Sequence, residues 1–152
     1  MAKTIVDSCI LSQPWFVRDV LPALVKEPKV LFVFTSHQKM MDEVNRNKEH
    51  YLRLYKETGA AKRRIDVPID AVDASIQKLE ANATWQANAA DCDDPHIFAL
   101  VAATAAKYVF STDSRMGNCR DCVRNSIKSR FCRFKLISSQ ALYTQHKGAI
   151  VA

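Results

Sequence analysis

The apolar residues of this chain fall into short continuous runs, separated by longer segments with helical periodicity. The segment "KTIVDSCIL" is β-branched and apolar and predicts a buried first strand. The segment "KVLFVFT" is continuously apolar, which is typical of a strand buried on both faces of a parallel sheet. Two later segments, "KYVFST" and "RFKLIS", predict two further strands. We expect the first strand to end near Asp7 and the strand "KYVFST" to end near Asp113.

The segments between these runs predict helices. The first, "SQPWFVRDVLPALVKEP", has a proline in its first turn, and Pro22 should kink or divide it. Thr35 or Ser36 should cap the next helix, and the pair Asp94 and Pro95 should open the alanine-rich one. The remaining predicted helices are "HQKMMDEVNRNKEHYLRLYKE", "IDAVDASIQKLEANA", "IFALVAATAA", "NCRDCVRNSIKS" and "SQALYTQH", whereas "GAAKRRIDVP" and "TWQANAADC" are expected to be connections.

Strands and helices alternate along the chain, and this alternation predicts the fold. Parallel strands joined by right-handed helical crossovers place helices on both faces of one sheet. We therefore predict an α/β fold with three α/β/α layers and a doubly wound, mainly parallel sheet of four to five strands. No repeat, linker or low-complexity segment is visible, so residues 1–152 should form a single domain.

The composition narrows the classes of function. With 48% hydrophobic and 25% charged residues, the chain has an ordinary globular balance, and its net charge of +6 admits a polyanionic partner. Only 3 glycines occur and neither glycine-rich nucleotide motif is present, which excludes the usual dinucleotide and P-loop sites. No apolar run is long enough to span a membrane and no signal peptide is recognisable, so we expect a cytoplasmic protein.

The 5 cysteines do not have the spacing of a disulfide framework, and we expect them to be reduced. Cys119 and Cys122 form a C-x-x-C pair, with Cys132 and His146 further along the chain. A redox pair, a zinc site and ordinary buried or half-buried thiols are the three alternatives that this spacing leaves open.

Acidic residues occur at the points where a doubly wound sheet binds its ligands, beyond the carboxyl ends of the strands. Asp7 and Asp113 each follow a predicted strand, and Glu43 lies early in the helix after "KVLFVFT". Asp94 opens the helix that leads into "KYVFST". Each has an ordinary alternative as a cap, a turn residue or a solvated side chain, but together they predict a cluster of oxygen ligands suited to Mg²⁺ or Mn²⁺.

This pattern resembles the PIN-domain ribonucleases. The resemblance is carried by "VDSCIL", "MMDEVNRN", "DDPHIFALVAATAAKYVFSTD" and "FKLISSQALY", which follow one another in the family's order over nearly the whole chain. The catalytic and metal-binding acids of the family match Asp7, Glu43, Asp94 and Asp113. A hydroxyl residue that commonly precedes the last acid, and supports it, matches Thr112.

The resemblance implies hydrolysis of RNA with Mg²⁺ or Mn²⁺. It also implies partners, because many members are toxins held by an antitoxin protein and many form homodimers. The sequence departs from the family where a further acid often follows the last aspartate, because Met116 stands there. This departure motivates the alternative, a weak or inactive PIN-like module that binds RNA or protein.

Basic residues follow Asp113 closely and suggest a surface for RNA. Arg120, Arg124 and Lys128 recur at every fourth position, which would align them on one face of a helix. Arg115 lies two positions after Asp113 and is the fourth predicted RNA-binding residue. A solvated helix face is the ordinary alternative.

Overall fold

The computed structural model describes residues 1–152 and contains a single sheet of five parallel strands. The strands are β1 (Ala2–Val6), β2 (Val30–Phe34), β3 (Arg64–Asp66), β4 (Tyr108–Phe110) and β5 (Lys135–Ile137). Their spatial order is β3-β2-β1-β4-β5. The sheet therefore has the all-parallel α/β arrangement that the alternating pattern predicts.

Eight α-helices connect and cover the strands. They are α1 (Leu21–Lys26), α2 (Gln38–Val44), α3 (Lys48–Ala60), α4 (Ile69–Glu80), α5 (Ala83–Ala87), α6 (Pro95–Thr104), α7 (Ser114–Val123) and α8 (Gln140–Val151). A π-helical turn at Phe16–Val20 comes directly before α1, so the first predicted helix is interrupted close to Pro22 as expected.

Contacts between the helices separate them into two groups, which confirms the three-layer arrangement. Helix α4 packs on α5 and α6, and α5 packs on α7. On the other side, α1 packs on α3, and α8 packs on the π-helical turn. Helix α6 is apolar on nearly all sides because it lies between the sheet and α4, where almost every one of its side chains is buried.

Several local predictions are wrong in detail. The segment "GAAKRRIDVP" contains β3, which pairs with β2 at the edge of the sheet, and "TWQANAADC" contains the short helix α5. The long helix predicted after β2 is divided into α2 and α3 by a 3-10 turn at Asn45–Asn47, and its cap is His37 rather than Thr35 or Ser36. An edge strand and a short helix bury few side chains, so their hydrophobic patterns are weak.

The sheet reverses its direction of winding at β1. The chain continues from β1 to β2 on one side, and later returns to place β4 on the other side. A crevice opens at such a switch point, beyond the carboxyl ends of the two strands. No helix combines the length and the apolar character needed to cross a bilayer.

Candidate metal centre

An acidic cavity lies in the crevice beyond the carboxyl ends of β1 and β4. It has a volume of about 790 Å³ and is lined by 13 residues. The acidic residues among them are Asp7, Asp42, Glu43, Asp93, Asp94 and Asp113, and the cationic ones are Arg46 and Arg115. All four acids selected from the sequence therefore line the same cavity, although they come from four separate parts of the chain.

Asp7 is the most buried of these acids, with 4% of its surface exposed. It directly follows β1, and the hydroxyl of Ser111 donates a hydrogen bond to its Oδ2 atom at 2.8 Å. The thiol of Cys9 donates to the same oxygen at 3.3 Å. Burial raises the pKa of Asp7, and the negative charge of Glu43 adds to this effect, while the hydrogen bonds from Ser111 and Cys9 oppose it.

Ser111 links the two strand ends of the site. Its hydroxyl oxygen accepts a hydrogen bond from the backbone N–H of Asp113 at 3.1 Å while its proton goes to Asp7. Thr112, which the sequence suggested as the supporting hydroxyl residue, is exposed and lines the cavity. The hydroxyl that contacts a carboxylate is therefore that of Ser111, one position earlier.

Glu43 is oriented by a buried histidine. Its Oε2 atom lies 3.1 Å from Nε2 of His96, a side chain that is 1% exposed. Nδ1 of His96 has no hydrogen-bond partner, so the favoured tautomer leaves Nδ1 bare and places the proton on Nε2, which donates to Glu43. Burial opposes ionisation of Glu43, but the hydrogen bond from His96, with further hydrogen bonds to Asp94 and Asp7, outweighs burial and lowers the pKa of Glu43.

Asp94 has a strongly perturbed electrostatic environment. It occupies the cap position of α6, yet its side chain makes no capping hydrogen bond. Burial and the charge of Asp7 are the main causes that raise its pKa from 3.8 to about 9, with smaller contributions from Asp113, Glu43 and Asp93. The carboxyl group therefore holds a proton at neutral pH and is not used as a helix cap.

Asp113 has a different environment because a guanidinium group faces it. It caps α7 through the backbone N–H of Arg115, and the side chain of Arg115 contacts both of its carboxylate oxygens at 3.2 and 3.3 Å. The same side chain forms an ion pair with Asp93 at 3.0 Å. Burial raises the pKa of Asp113, but the hydrogen bonds from Arg115 outweigh it and lower that pKa.

Two groups of ligand atoms meet at Asp94. The atoms of Glu43, Asp94 and His96 lie within 4.8 Å of one another, and so do those of Asp93, Asp94 and Asp113. Carboxylate oxygens are the ligands of Mg²⁺ and Mn²⁺, and the pKa of Asp94 is raised by its burial and by the negative charge of the neighbouring acids. The donor set and its charge therefore fit a hard divalent cation.

The predicted RNA-binding residues do not stay together. Arg115 lines the acidic cavity, but Arg120 is half-buried and donates to the carbonyl of Phe134 at 3.2 Å. Helix α7 ends at Val123, so the expected helical stripe does not extend to Lys128. Arg124 caps the end of this helix and lines a different cavity. The predicted stripe on one helix is therefore wrong, whereas RNA binding by these four residues stays a prediction.

Cys92 and Cys119 form a disulfide, so the expectation that all cysteines are reduced is wrong for this pair. The bond joins the loop that carries Asp94 to α7. It leaves Cys122 free and exposed, which excludes the C-x-x-C redox pair and a zinc site that uses Cys119. Which cysteines meet depends on tertiary packing, which spacing alone does not reveal.

Several residues of the site were missed or undervalued in the sequence. Asp93 precedes Asp94 and competes for the same cap, so pattern alone gave no reason to keep both. His96 sits two positions after Asp94, which was the one signal for its place at the site. Ser111, Cys9 and Arg46 carry no distinctive pattern. Ser111 and Cys9 meet because β1 and β4 are paired, and Arg46 reaches the cavity from the 3-10 turn Asn45–Asn47.

Comparison with known proteins identified no relative of this chain. No family model matches the chain, and no curated protein or solved structure is similar to it at a significant level. The resemblance to PIN-domain ribonucleases therefore stays a prediction that rests on the sequence motifs.

Proposed function

We propose that this protein is a PIN-like endoribonuclease that hydrolyses RNA phosphodiester bonds with Mg²⁺ or Mn²⁺. The observation that carries the proposal is the convergence of separate acids in one cavity, where burial and the neighbouring acids raise the pKa of Asp94 to about 9. A structural ion-pair network would be expected to neutralise such a group, whereas a metal site leaves the charge for a cation. The motif resemblance supplies the choice of RNA as substrate.

Different residues of the cavity would have different roles in such a reaction. Asp7, Glu43 and Asp94 provide carboxylate oxygens at the switch point, with Ser111 and His96 holding two of them in place. When bound, the divalent cation would activate water for attack on phosphorus and stabilise the charge that develops there. The guanidinium of Arg115 stands at the rim of the same cavity, where it can bind a phosphate of the substrate.

Two observations favour the alternative function, a weak or inactive PIN-like module that binds RNA or protein. Arg115 holds both carboxylate oxygens of Asp113, and a metal ligand must release at least one of them. In addition, Met116 is 1% exposed and packs in the core, so it offers nothing in place of a further acid. Under this alternative, Arg115 keeps Asp113 neutralised and the cavity binds a cation weakly.

Cleavage of a fluorescently labelled RNA in the presence of Mn²⁺ separates the two functions. We expect wild-type protein to cleave and Asp7→Asn to lose at least about 100-fold in rate, because the buried strand-end carboxylate is lost. Asp70→Asn, which removes an exposed carboxylate on α4, is the matched control and should cleave normally. Equal rates for Asp7→Asn and wild type would refute the assignment, and wild type without cleavage or Mn²⁺ binding would favour the alternative.

The expected partners of this function remain proposals: RNA as substrate, an antitoxin protein, and a second copy of the chain. The cytoplasmic location is also a prediction, and the disulfide does not favour it because such bonds are rare in the cytosol. Release of growth inhibition by a small protein encoded beside this one would support the toxin role. Overexpression without any effect on growth would count against it.

A further inference from the structure

A second cavity lies at the amino ends of β4 and β5. The acidic cavity lies beyond the carboxyl ends of the strands, so the two are at opposite ends of the sheet. The second cavity has a volume of about 480 Å³ and is lined by eight residues. The cationic residues among them are Lys107, Arg124, Arg133 and Lys135, and none of the eight is acidic. Half of the lining is therefore positively charged, which is the composition of an anion site.

Most of these charges have no partner in the protein. Lys107, Arg133 and Lys135 are exposed and take part in none of the ion pairs of the structure. Arg124 shares Asp121 with Arg120, so one carboxylate serves two guanidinium groups. An anion that binds here would not have to displace an internal carboxylate from the three unpaired cations.

The backbone keeps two of the cations close together. Lys107 directly precedes β4 and Lys135 begins β5, and the N–H of Lys135 donates to the carbonyl of Lys107 at 2.8 Å. Both lysines therefore lie at the amino-terminal ends of paired strands, where Lys135 is in register with Tyr108, the residue after Lys107. A bound anion would be attracted by both side chains.

The rest of the lining includes an apolar wall. It consists of Tyr108, Cys132 and Phe134, which are all nearly fully buried. Phe134 is fixed by the ring of Phe98 at 5.4 Å and by the guanidinium of Arg120 over its face at 5.4 Å. Burial raises the pKa of the Cys132 thiol to about 11, so it contributes a neutral surface rather than a second anion.

We propose that this cavity binds a nucleotide, with its phosphates on the four cations and its ring system against the apolar wall. Inorganic phosphate would leave that wall uncovered, and the volume falls in the range of about 300–1,000 Å³ typical of sites for organic ligands. The ligand can be a free nucleotide or the phosphorylated end of an RNA strand, because both present the same chemistry.

This site is separate from the acidic centre and does not depend on the proposed nuclease function. Lys107 and Asp113 lie at opposite ends of β4, about 15–20 Å apart at about 3.3 Å per residue of extended chain. The two cavities share no lining residue and carry charges of opposite sign. A nucleotide at the basic cavity would therefore leave the acidic cavity open.

The test is a binding titration with the full chain in the presence of EDTA, which removes divalent cations from the acidic centre. The probes are adenosine triphosphate, adenosine, inorganic triphosphate, and an RNA oligonucleotide with or without a 5′-phosphate. We expect the double variant Lys107→Glu/Arg133→Glu to bind adenosine triphosphate about tenfold more weakly, or worse. The control Lys56→Glu/Lys78→Glu makes the same change of net charge at exposed helical positions and should bind like wild type.

Each outcome decides the proposal. Tighter binding of adenosine triphosphate than of inorganic triphosphate supports the apolar wall, and dependence of RNA binding on the 5′-phosphate identifies a strand end as the source. The proposal is overturned if both double variants weaken binding equally, since that would show only the effect of net charge. Absence of adenosine triphosphate binding at about 1 mM would overturn it as well. Circular dichroism and melting of both variants establish that they are folded.

Discussion

The Oγ atom of Ser111 lies 2.8 Å from Oδ2 of Asp7, although the two residues are 104 positions apart in the chain. The hydrogen bond crosses from the end of β4 to the end of β1 and fixes the most buried carboxylate of the acidic cavity. Ser111 also accepts a hydrogen bond from the backbone N–H of Asp113, so this one hydroxyl contacts both Asp7 and Asp113. The geometry of the candidate metal centre therefore depends on the pairing of these two strands.

Replacement of this hydroxyl should weaken metal binding more than it weakens the fold. We expect Ser111→Ala to lower the affinity for Mn²⁺ about 10-fold or more, because residues that orient metal ligands typically contribute that much. Calorimetric titration with Mn²⁺ measures the effect. Thr112→Val removes the neighbouring hydroxyl, which does not hold Asp7, and should bind Mn²⁺ like wild type. Equal losses in the two variants would contradict the role assigned to Ser111.

His96 should act on metal binding through Glu43. In wild type, the N–H of His96 orients Glu43 and lowers the pKa of Glu43. His96→Leu removes this donor, so we expect the affinity for Mn²⁺ to fall about 10-fold. His96→Gln retains an N–H donor and should recover part of the loss. The melting temperature should change little in His96→Leu, because that substitution also removes the unpartnered Nδ1 atom. Metal affinity that is unchanged in His96→Leu would show that the histidine serves packing alone.

The stability of the metal-free protein should fall as pH rises. The pKa of Asp94 is about 9 in the folded chain and near 3.8 without the fold, so the folded state binds a proton that the unfolded state has already lost. The contribution of this group is therefore fully present below about pH 4 and is lost as pH rises towards 9. Burial raises the pKa of Asp7 as well, which acts in the same direction.

Denaturation in EDTA between pH 5 and pH 9 measures this dependence. We expect Asp94→Asn to make the free energy of unfolding less dependent on pH. The substitution should also stabilise the protein at pH 8 by at least about 1.4 kcal/mol, the equivalent of one pKa unit. Addition of Mn²⁺ to wild type should reduce the dependence on pH too, because the cation replaces the proton. Asp70→Asn, on the exposed face of α4, is the control and should follow wild type. A slope in Asp94→Asn equal to that of wild type would refute the strain assigned to Asp94.

The disulfide should contribute measurably to stability. It closes a segment with a sequence separation of 27 residues, and the loop-closure entropy of such a segment corresponds to about 3–4 kcal/mol. We expect Cys92→Ser to lower the free energy of unfolding by about 2–4 kcal/mol, and a reductant to do the same to wild type. Cys122→Ser changes a free, exposed thiol and should have little effect. Equal free energies of unfolding for Cys92→Ser and wild type would contradict the contribution assigned to the disulfide.

The parallel sheet and its helices could be predicted from the sequence because buried strands are continuously apolar. Strands β1, β2 and β4 have this pattern, and α6 is recognisable from its alanine-rich apolar run. The edge strand β3 could not be found, because Arg64–Asp66 pairs through its backbone and buries little of its side chains. The hydrophobic pattern of a segment reflects which of its side chains are buried, so an element that buries few side chains has a weak pattern.

The positions of Asp7 and Asp113 at strand ends were determined by the sequence itself, since an acid that terminates an apolar run must lie at the edge of the sheet. Tertiary structure alone decided that Ser111 rather than Thr112 holds Asp7, and that Arg115 faces Asp113 while Arg124 turns to another cavity. These choices depend on which strands pair and where α7 ends. Residues far apart in sequence meet through that packing, and the strength of each contact is set by burial, which no single segment of the chain encodes.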